Sequence, residues 1–263
     1  MAWSQMTIGS VVVYQLSQKQ IVVGADSRAS NGHGAHRDDE CKIRTFGGKF
    51  VFASTGVNGP SKRMVHPWST YAEGENAWRD ASRFSSMSSA KSLAHQTAEK
   101  WAVVMEEHLN DAYEISAMRA ELRNGNGIES GIFAATNERG ELGVSTVLIN
   151  IDLKAFDTDH VVRLTHTVND FAPPAGGAIG LGGVADEYAH ETSQRAKDFM
   201  VPYLKKLESL SPDKRDIEIV KKLIELCIDL DTMKDFLGRP VDEVILERGK
   251  GIEWIHLKSN CPR

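Results

Sequence analysis

A chain of 263 residues suffices for one large domain or two small ones, and at that size it can bury roughly three quarters of its unfolded surface without a disulfide or metal staple. With 41% hydrophobic and 25% charged residues, 22 glycines and 8 prolines, it is neither collagen-like, disordered nor coiled-coil. A net charge of -5 argues against nucleic acid as the main partner, because phosphate binding needs a clustered basic field, and no apolar run approaches the roughly 18 residues that cross a bilayer.

The expectation is a soluble protein with no membrane segment. Cys41, Cys227 and Cys261 are too few and too scattered for a disulfide scaffold or a zinc-ribbon spacing, and their odd count favours a reducing, cytoplasmic compartment. Ala2-Trp3-Ser4 has the small residues a signal peptidase wants, without the apolar segment that should precede them. An exported protein whose presequence has been removed is the alternative.

In chain order, β-branched runs at 7–14 and 21–25, broken by a polar stretch at 15–20, predict a hairpin. A second hairpin is expected at 41–46 and 49–54, turned by Gly47-Gly48. Between 88 and 122, Leu93, Ala94, Thr97, Trp101, Val104, Met105, Leu109 and Tyr113 recur at helical steps, which marks a core-packing stripe, with His95 and His108 on exposed positions.

Strands return at 132–136, 144–151 and 161–168. Pro173-Pro174 and the glycines from 176 to 183 predict a loop, followed by a helix at 185–207. Ser211-Pro212-Asp213 caps a further helix to 230, whose Lys221-Lys222 pair, like Lys205-Lys206 before it, reads as a solvated face. Strands at 241–247 and 252–257 close the chain. No repeat or linker divides it, so the expectation is a single domain over 1–263, with 1–6 as a leader or tag-like extension. Strand clusters alternating with helix pairs imply an α+β fold of packed sheets covered by helices. His33, His36 and the acidic run 38–40 form a solvated loop in this reading and not a metal site.

The stretch Val22-Val-Gly-Ala-Asp-Ser-Arg-Ala-Ser30, then Cys41-Lys-Ile, then Phe52-Ala-Ser-Thr-Gly56 resembles the proteasome core-particle subunits and their bacterial peptidase relatives among the N-terminal-nucleophile hydrolases. The spacing from Asp26 to Gly56 matches that family without a gap, and Gly238-Arg-Pro-Val-Asp is similar to its closing strand. The resemblance implies a four-layer αββα sandwich of two antiparallel sheets. It also implies a threonine-type peptidase, with peptide or protein substrates, no cofactor or metal, and a homo-oligomer for which a ring is one form open to it.

In such enzymes the nucleophile is the mature N-terminal residue, and its own α-amine, with a pKa near 8, takes the hydroxyl proton. A lysine lowers that pKa by like-charge repulsion, an aspartate fixes the lysine, and a glycine N–H stabilises the oxyanion. Carried over by position, Thr7 is the nucleophile, Asp26 the aspartate, Lys42 the lysine, Gly56 the oxyanion glycine and Ser54 a pocket residue, while Arg28 is a structural ion-pair partner. Exposing Thr7 requires cleavage after Met6, where the family usually has glycine.

The 7–26 segment is a few residues longer than in the family, which places an insertion in the 15–20 turn. Ser10 is the alternative nucleophile if the insertion lies elsewhere, and Ser4 or Gln5 the alternative mature start. Leu181 and Leu237 stand where active members carry hydroxyls, with Asp235 roughly in place. That leaves open a non-catalytic protein acting in ring assembly or partner binding, or an amidase or acylase.

Overall fold

Side chains at period two give each strand two apolar faces, and these faces decide which layers meet. The computed structural model describes residues 6–7, 10–30, 36–38, 41–57, 68–84, 89–112, 128–152, 163–180, 183–230, 237–258 and 261. The first sheet contains β1 (Met6–Thr7), β6 (Ile43–Phe46), β7 (Phe50–Val57), β8 (Glu129–Thr136), β9 (Leu142–Ile151) and β10 (Leu164–Phe171). Its order is β1-β7-β8-β9-β10, with β6 also against β7. The second contains β2 (Val11–Leu16), β3 (Gln20–Ala25), β11 (Ala175–Gly180), β12 (Asp242–Glu247) and β13 (Gly251–His256), in the order β11-β2-β3-β12-β13. A small ribbon pairs β4 (Ala29–Ser30) with β5 (His36–Arg37).

On β7, Phe50 and Phe52 face α1 (Thr70–Phe84) and α2 (Ala90–Ala112), whereas Val51 and Ala53 face the second sheet. On β2, Val12, Tyr14 and Leu16 face the first sheet, while Val11 and Val13 face α3 (Gly183–Ala189), α4 (Gln194–Leu207) and α5 (Pro212–Leu230). Three apolar clusters therefore separate four layers, the αββα sandwich and α+β class that the sequence implied. Trp101 anchors the outer layer: it is fully buried, edge-on to Phe52 and Phe133, and its indole N–H donates to the Thr70 carbonyl at 3.2 Å.

The structure departs from the sequence reading in five places. The first strand does not run from Thr7, since Met6–Thr7 is a separate strand against β7 and β2 begins at Val11. Helix α1 was not foreseen, because its sequence is polar and contains Gly74; that glycine lies so close to the Phe52 ring that a Cβ would sit 2.6 Å from Cε1. The predicted loop at the 176–183 glycines holds β11, an edge strand on β2, and an edge tolerates Pro and Gly that a central strand does not. The predicted helix at 185–207 is two helices, broken where the Ser193 hydroxyl accepts from Ala196 N–H as an N-cap.

The fifth departure concerns cysteine. Cys41 and Cys261, 220 residues apart, form a disulfide with Cα atoms at 5.5 Å, which only the tertiary fold could reveal. The expectation for 113–122, and those for His33, Leu181 and Asp235, lie outside the described residues. His108 is not simply exposed: it stacks on Trp68 at 5.0 Å and meets Glu73 at 3.4 Å.

Candidate active site

Strand ends of both sheets meet at one edge of the inter-sheet core. Asp26 follows β3 and is fully buried; Lys42 precedes β6 and is 1% exposed. Their ion pair is short, Nζ to Oδ1 2.7 Å. A buried carboxylate needs more than one partner, and Asp26 has them. Val11 N–H donates to Oδ1 at 2.9 Å, while Arg28 N–H and Gly238 N–H donate to Oδ2 at 3.0 and 3.3 Å. Four donors from four parts of the chain thus converge on one side chain. The Val11 amide and the Lys42 ammonium share a single oxygen, which puts Lys42 beside the peptide unit that joins Ser10 to Val11.

Arg28 is bidentate on Asp38 at 2.6 and 2.9 Å, the structural role expected of it, and this also engages one carboxylate of the acidic run. Among the described residues no group of three His, Cys, Asp or Glu could hold a metal ion.

Gly56, the penultimate residue of β7, has φ +116, a conformation that side chains rarely adopt. A Cβ there would also collide with the Glu129 carboxylate and lie 2.6 Å from the Ile128 carbonyl. Glu129, 1% exposed, accepts from the Thr70 hydroxyl at 3.2 Å. Thr7 pairs with Gly56 across β1 and β7, so the segment preceding Ser10 lies along the candidate oxyanion glycine. Ser54 is 1% exposed, and its hydroxyl has no hydrogen-bond partner. By strand parity it shares the helix-facing side of β7 with Phe52.

Thr55, on the opposite face, is the residue that sequence reasoning missed. At Gly180, with φ +77, a Cβ would lie 2.9 Å from Thr55 Cβ and would collide with the Ser10 carbonyl. Gly180 therefore lets the start of β2 close on the end of β7. Thr55 lies inside the Phe52–Gly56 motif, where it received no role, and Glu129 lies in no motif that could have announced it. Leu237, found where a hydroxyl was sought, is 1% exposed in the core beneath α5.

The β2–β3 register runs without a bulge from Val12↔Ala25 to Leu16↔Ile21, and residues 17–19 close the turn through Ser17 N–H on the Gln20 carbonyl at 2.9 Å. No bulge marks the insertion expected between 15 and 20. Counting back from Asp26 without it reaches Ser10, which is 2% exposed and continues the parity of Val12 and Tyr14 toward the first sheet.

No family model and no curated protein matches this chain. Solved structures do. The helical assembly of the Anbu complex from Pseudomonas aeruginosa is 13% identical, covering 95% of this chain and 88% of that one with a TM-score of 0.57. A mutant of Anbu from Hyphomicrobium sp. strain MC1 is 12% identical, covering 96% and 89% with a TM-score of 0.52. At such identity the likeness bears on fold alone, and it supports a proteasome-like N-terminal-nucleophile fold.

Proposed function

We propose that this chain is an N-terminal-nucleophile hydrolase of peptide or related amide bonds, whose nucleophile is Ser10 and not Thr7. The carrying observation is the shared Asp26 oxygen: Val11 N–H and Lys42 Nζ both reach Oδ1, so Ser10 is the residue whose own amine would lie against the lysine. Thr7 lies three positions before Ser10, at most about 10 Å of chain. The bond before Ser10 also has glycine on its acyl side, Gly9, as the family's processing sites do and Met6 does not.

Activation would be self-cleavage. The Ser10 hydroxyl adds to the Gly9 carbonyl, the Gly9–Ser10 C–N bond breaks as the ester forms, and water hydrolyses the ester. The products are a Gly9 carboxylate and a Ser10 α-amine, with one water consumed. The amine then serves as base, with Lys42 holding its pKa down by charge repulsion and Asp26 fixing Lys42. Departure of the leader uncovers the Gly56 N–H, which donates to the oxyanion, while Ser54 lines the acyl-side pocket.

Intact mass and N-terminal sequencing test this. A mature chain beginning at Ser10, abolished by Ser10→Ala and kept by Ser10→Thr and Thr7→Ala, is the expected result. A mature chain beginning at Thr7, Gln5 or Ser4 overturns the Ser10 assignment. An uncleaved chain that hydrolyses no peptide leaves the non-catalytic reading.

The partner we propose beside substrate is a second copy of this chain. On α4, Phe199 and Val201 are 37% and 55% exposed, on the layer that in this fold faces outward. The Anbu neighbour forms a helical assembly. Light scattering of the wild type against Val201→Glu reads the outcome; a wild-type monomer at micromolar concentration rejects it.

A further inference from the structure

Both members of the Asp26–Lys42 pair are held from the end of the chain. Gly238 N–H binds Asp26 Oδ2, and the Gly238 carbonyl accepts from Ser27 N–H at 3.0 Å. The Ser27 hydroxyl bonds the Pro240 carbonyl just before β12. Lysine is held differently. Beyond β13 the chain folds back, with Lys258 placing its backbone N–H and its Nζ on the two oxygens of Asp242 at 3.3 and 2.9 Å. Cys261 N–H then donates to the Lys258 carbonyl at 3.1 Å, and its sulfur is bonded to Cys41, the residue covalently before Lys42. Cys41 and Cys261 are 8% and 9% exposed, so the linkage lies within the packed edge of the site.

A lysine side chain loses up to about 2 kcal/mol of rotamer entropy when fixed, so its ammonium stays on one oxygen only if the backbone beneath is fixed too. Below Lys42, anchors among the described residues include the Arg44 guanidinium on the Cys41 carbonyl at 2.6 Å and the disulfide. Above it begins β6, paired to β7.

We propose that Cys261 is a positioning residue: through its disulfide to Cys41 it seats Lys42 on Asp26, which makes the Ser10 chemistry conditional on the oxidised state. The inference rests on the Ser10 reading above. The switching step is thiol–disulfide exchange with a dithiol reductant. One thiolate attacks a sulfur of the pair to give a mixed disulfide, and the reductant's second thiol displaces it. Cys41 and Cys261 gain two electrons and two protons in total, and the reductant leaves as its own disulfide.

The consequence appears in the pH profile. The Ser10 amine would be faced by Lys42 and Asp26, which flank β6 and β3; Glu129 at the head of β8 lies against Gly56, Asp186 of α3 accepts from Ala178 N–H on β11, and the Arg28–Asp38 pair stands behind Asp26. Of these only Lys42 is released by reduction. Losing its charge lets the amine return toward the ordinary value of about 7.7–8.0. Each unit of rise costs about tenfold in rate below the pKa.

The test uses the full chain, oxidised, reduced with dithiothreitol, and reoxidised, together with Cys261→Ser. Maleimide labelling after denaturation should count one thiol in the oxidised protein and three in the reduced one. Gly9–Ser10 cleavage and peptide hydrolysis at pH 6.5 should fall about tenfold on reduction, recover on reoxidation, and recover equally when pH is raised, because the ascending limb moves up about one unit. A rate that falls with no movement of the limb reports mere loosening of the fold and overturns the proposal, as does an unchanged rate or three thiols in the air-oxidised protein.

If no state cleaves anything, the Ser10 reading has failed, and reductive methylation decides the positioning role alone. Lys42 protected when oxidised and modified when reduced sustains it; equal protection sinks it. The wild-type redox cycle keeps the test intact if Cys261→Ser does not fold.

Discussion

Lys42→Met removes the ammonium and keeps most of the stem's volume, so it isolates the charge. Asp26 would remain fully buried with three backbone N–H donors, from Val11, Arg28 and Gly238, and no cation. Stripping one partner from a buried ion pair costs about 3–5 kcal/mol, and the three remaining donors place this case near about 3. For a chain of this size each kcal/mol lowers Tm by about 2–4 °C, so thermal unfolding of the variant should come roughly 6–12 °C early.

Adding Asp26→Asn removes the orphaned charge but offers one acceptor oxygen where the carboxylate offered two. A side-chain NH2 must then face a backbone N–H. The double variant should therefore regain only about 1–2 kcal/mol of the loss. Urea titration of the parent and both variants, with intact mass for leader cleavage, reads both quantities. A purely structural pair predicts that cleavage returns with stability; the mechanism predicts that it does not. A single variant melting within 2 °C of the parent, or a double variant that cleaves, would refute the reasoning.

Gly56→Ala meets two obstacles at once, φ +116 and the Glu129 carboxylate in the space of the new methyl. It should lose about 1–3 kcal/mol from the backbone alone and lose cleavage, measured by the same titration. His166 bonds Glu106 at 2.8 Å and Glu99 at 3.2 Å; burial lowers its pKa, but the two carboxylates outweigh that and raise it above 6.5. The clasp between β10 and α2 is thus fully stabilising below pH 6.5 and is lost as pH rises through the elevated folded value. Denaturation at pH 5.5 and 8.5 should show a slope that His166→Gln flattens.

Glu243, on the α5 side of β12 with one carboxylate oxygen lacking a partner, is pushed up from 4.5 to about 7, first by burial, against Lys221 and with Glu218 and Glu225. Because the unfolded chain releases this proton first, stability should fall between pH 4.5 and 7 and then level off. Glu243→Gln should stabilise relative to the parent at pH 8 and not at pH 5, and equal differences at both pH values would refute the assignment.

The hairpins and the 26–56 spacing were legible because they are local: period-two burial and short turns are written within a few residues. The same local logic hid β11, where Gly176 and Gly177 lie against Gln15 and Tyr14, since glycine reads as a loop unless the partner strand is known. It hid α1, whose close approaches, Gly74 on Phe52 and Trp78 on Gly47, depend on residues some way back in the chain. The disulfide and the Gly238 contact join residues more than two hundred positions apart, and no spacing rule reaches that far. The strand start expected at Thr7 failed for another reason. A threonine within a β-branched run looks like the start of a strand, and only the pairing of Met6–Thr7 with β7 shows that the strand begins later, at Val11.

The site is divided between the sheets, and that division accounts for its dependence on distant anchors. Ser10 and Asp26 belong to the second sheet, whereas Lys42, Thr55 and Gly56 belong to the first. Within a sheet, ladder hydrogen bonds fix neighbours; across the seam only packing and a few polar contacts do. The seam core of Val12, Val23, Ile43, Val51 and Ala53 is close-packed and apolar, so it sets the separation of the sheets but carries no directional bond at the site. Direction comes from Lys42 on Asp26, from Val11 N–H on the same oxygen, and from Gly180, which lets the two strand ends touch. A site built this way gains nothing from a stiffer sheet. It gains from ties that cross the seam, and the longest of these in sequence is Cys261 on Cys41, while Gly238 steadies Asp26 from within the second sheet. Self-cleavage at Ser10 would then have to wait until the segment around Cys261 has docked and its disulfide to Cys41 has formed, which orders folding and oxidation before activation.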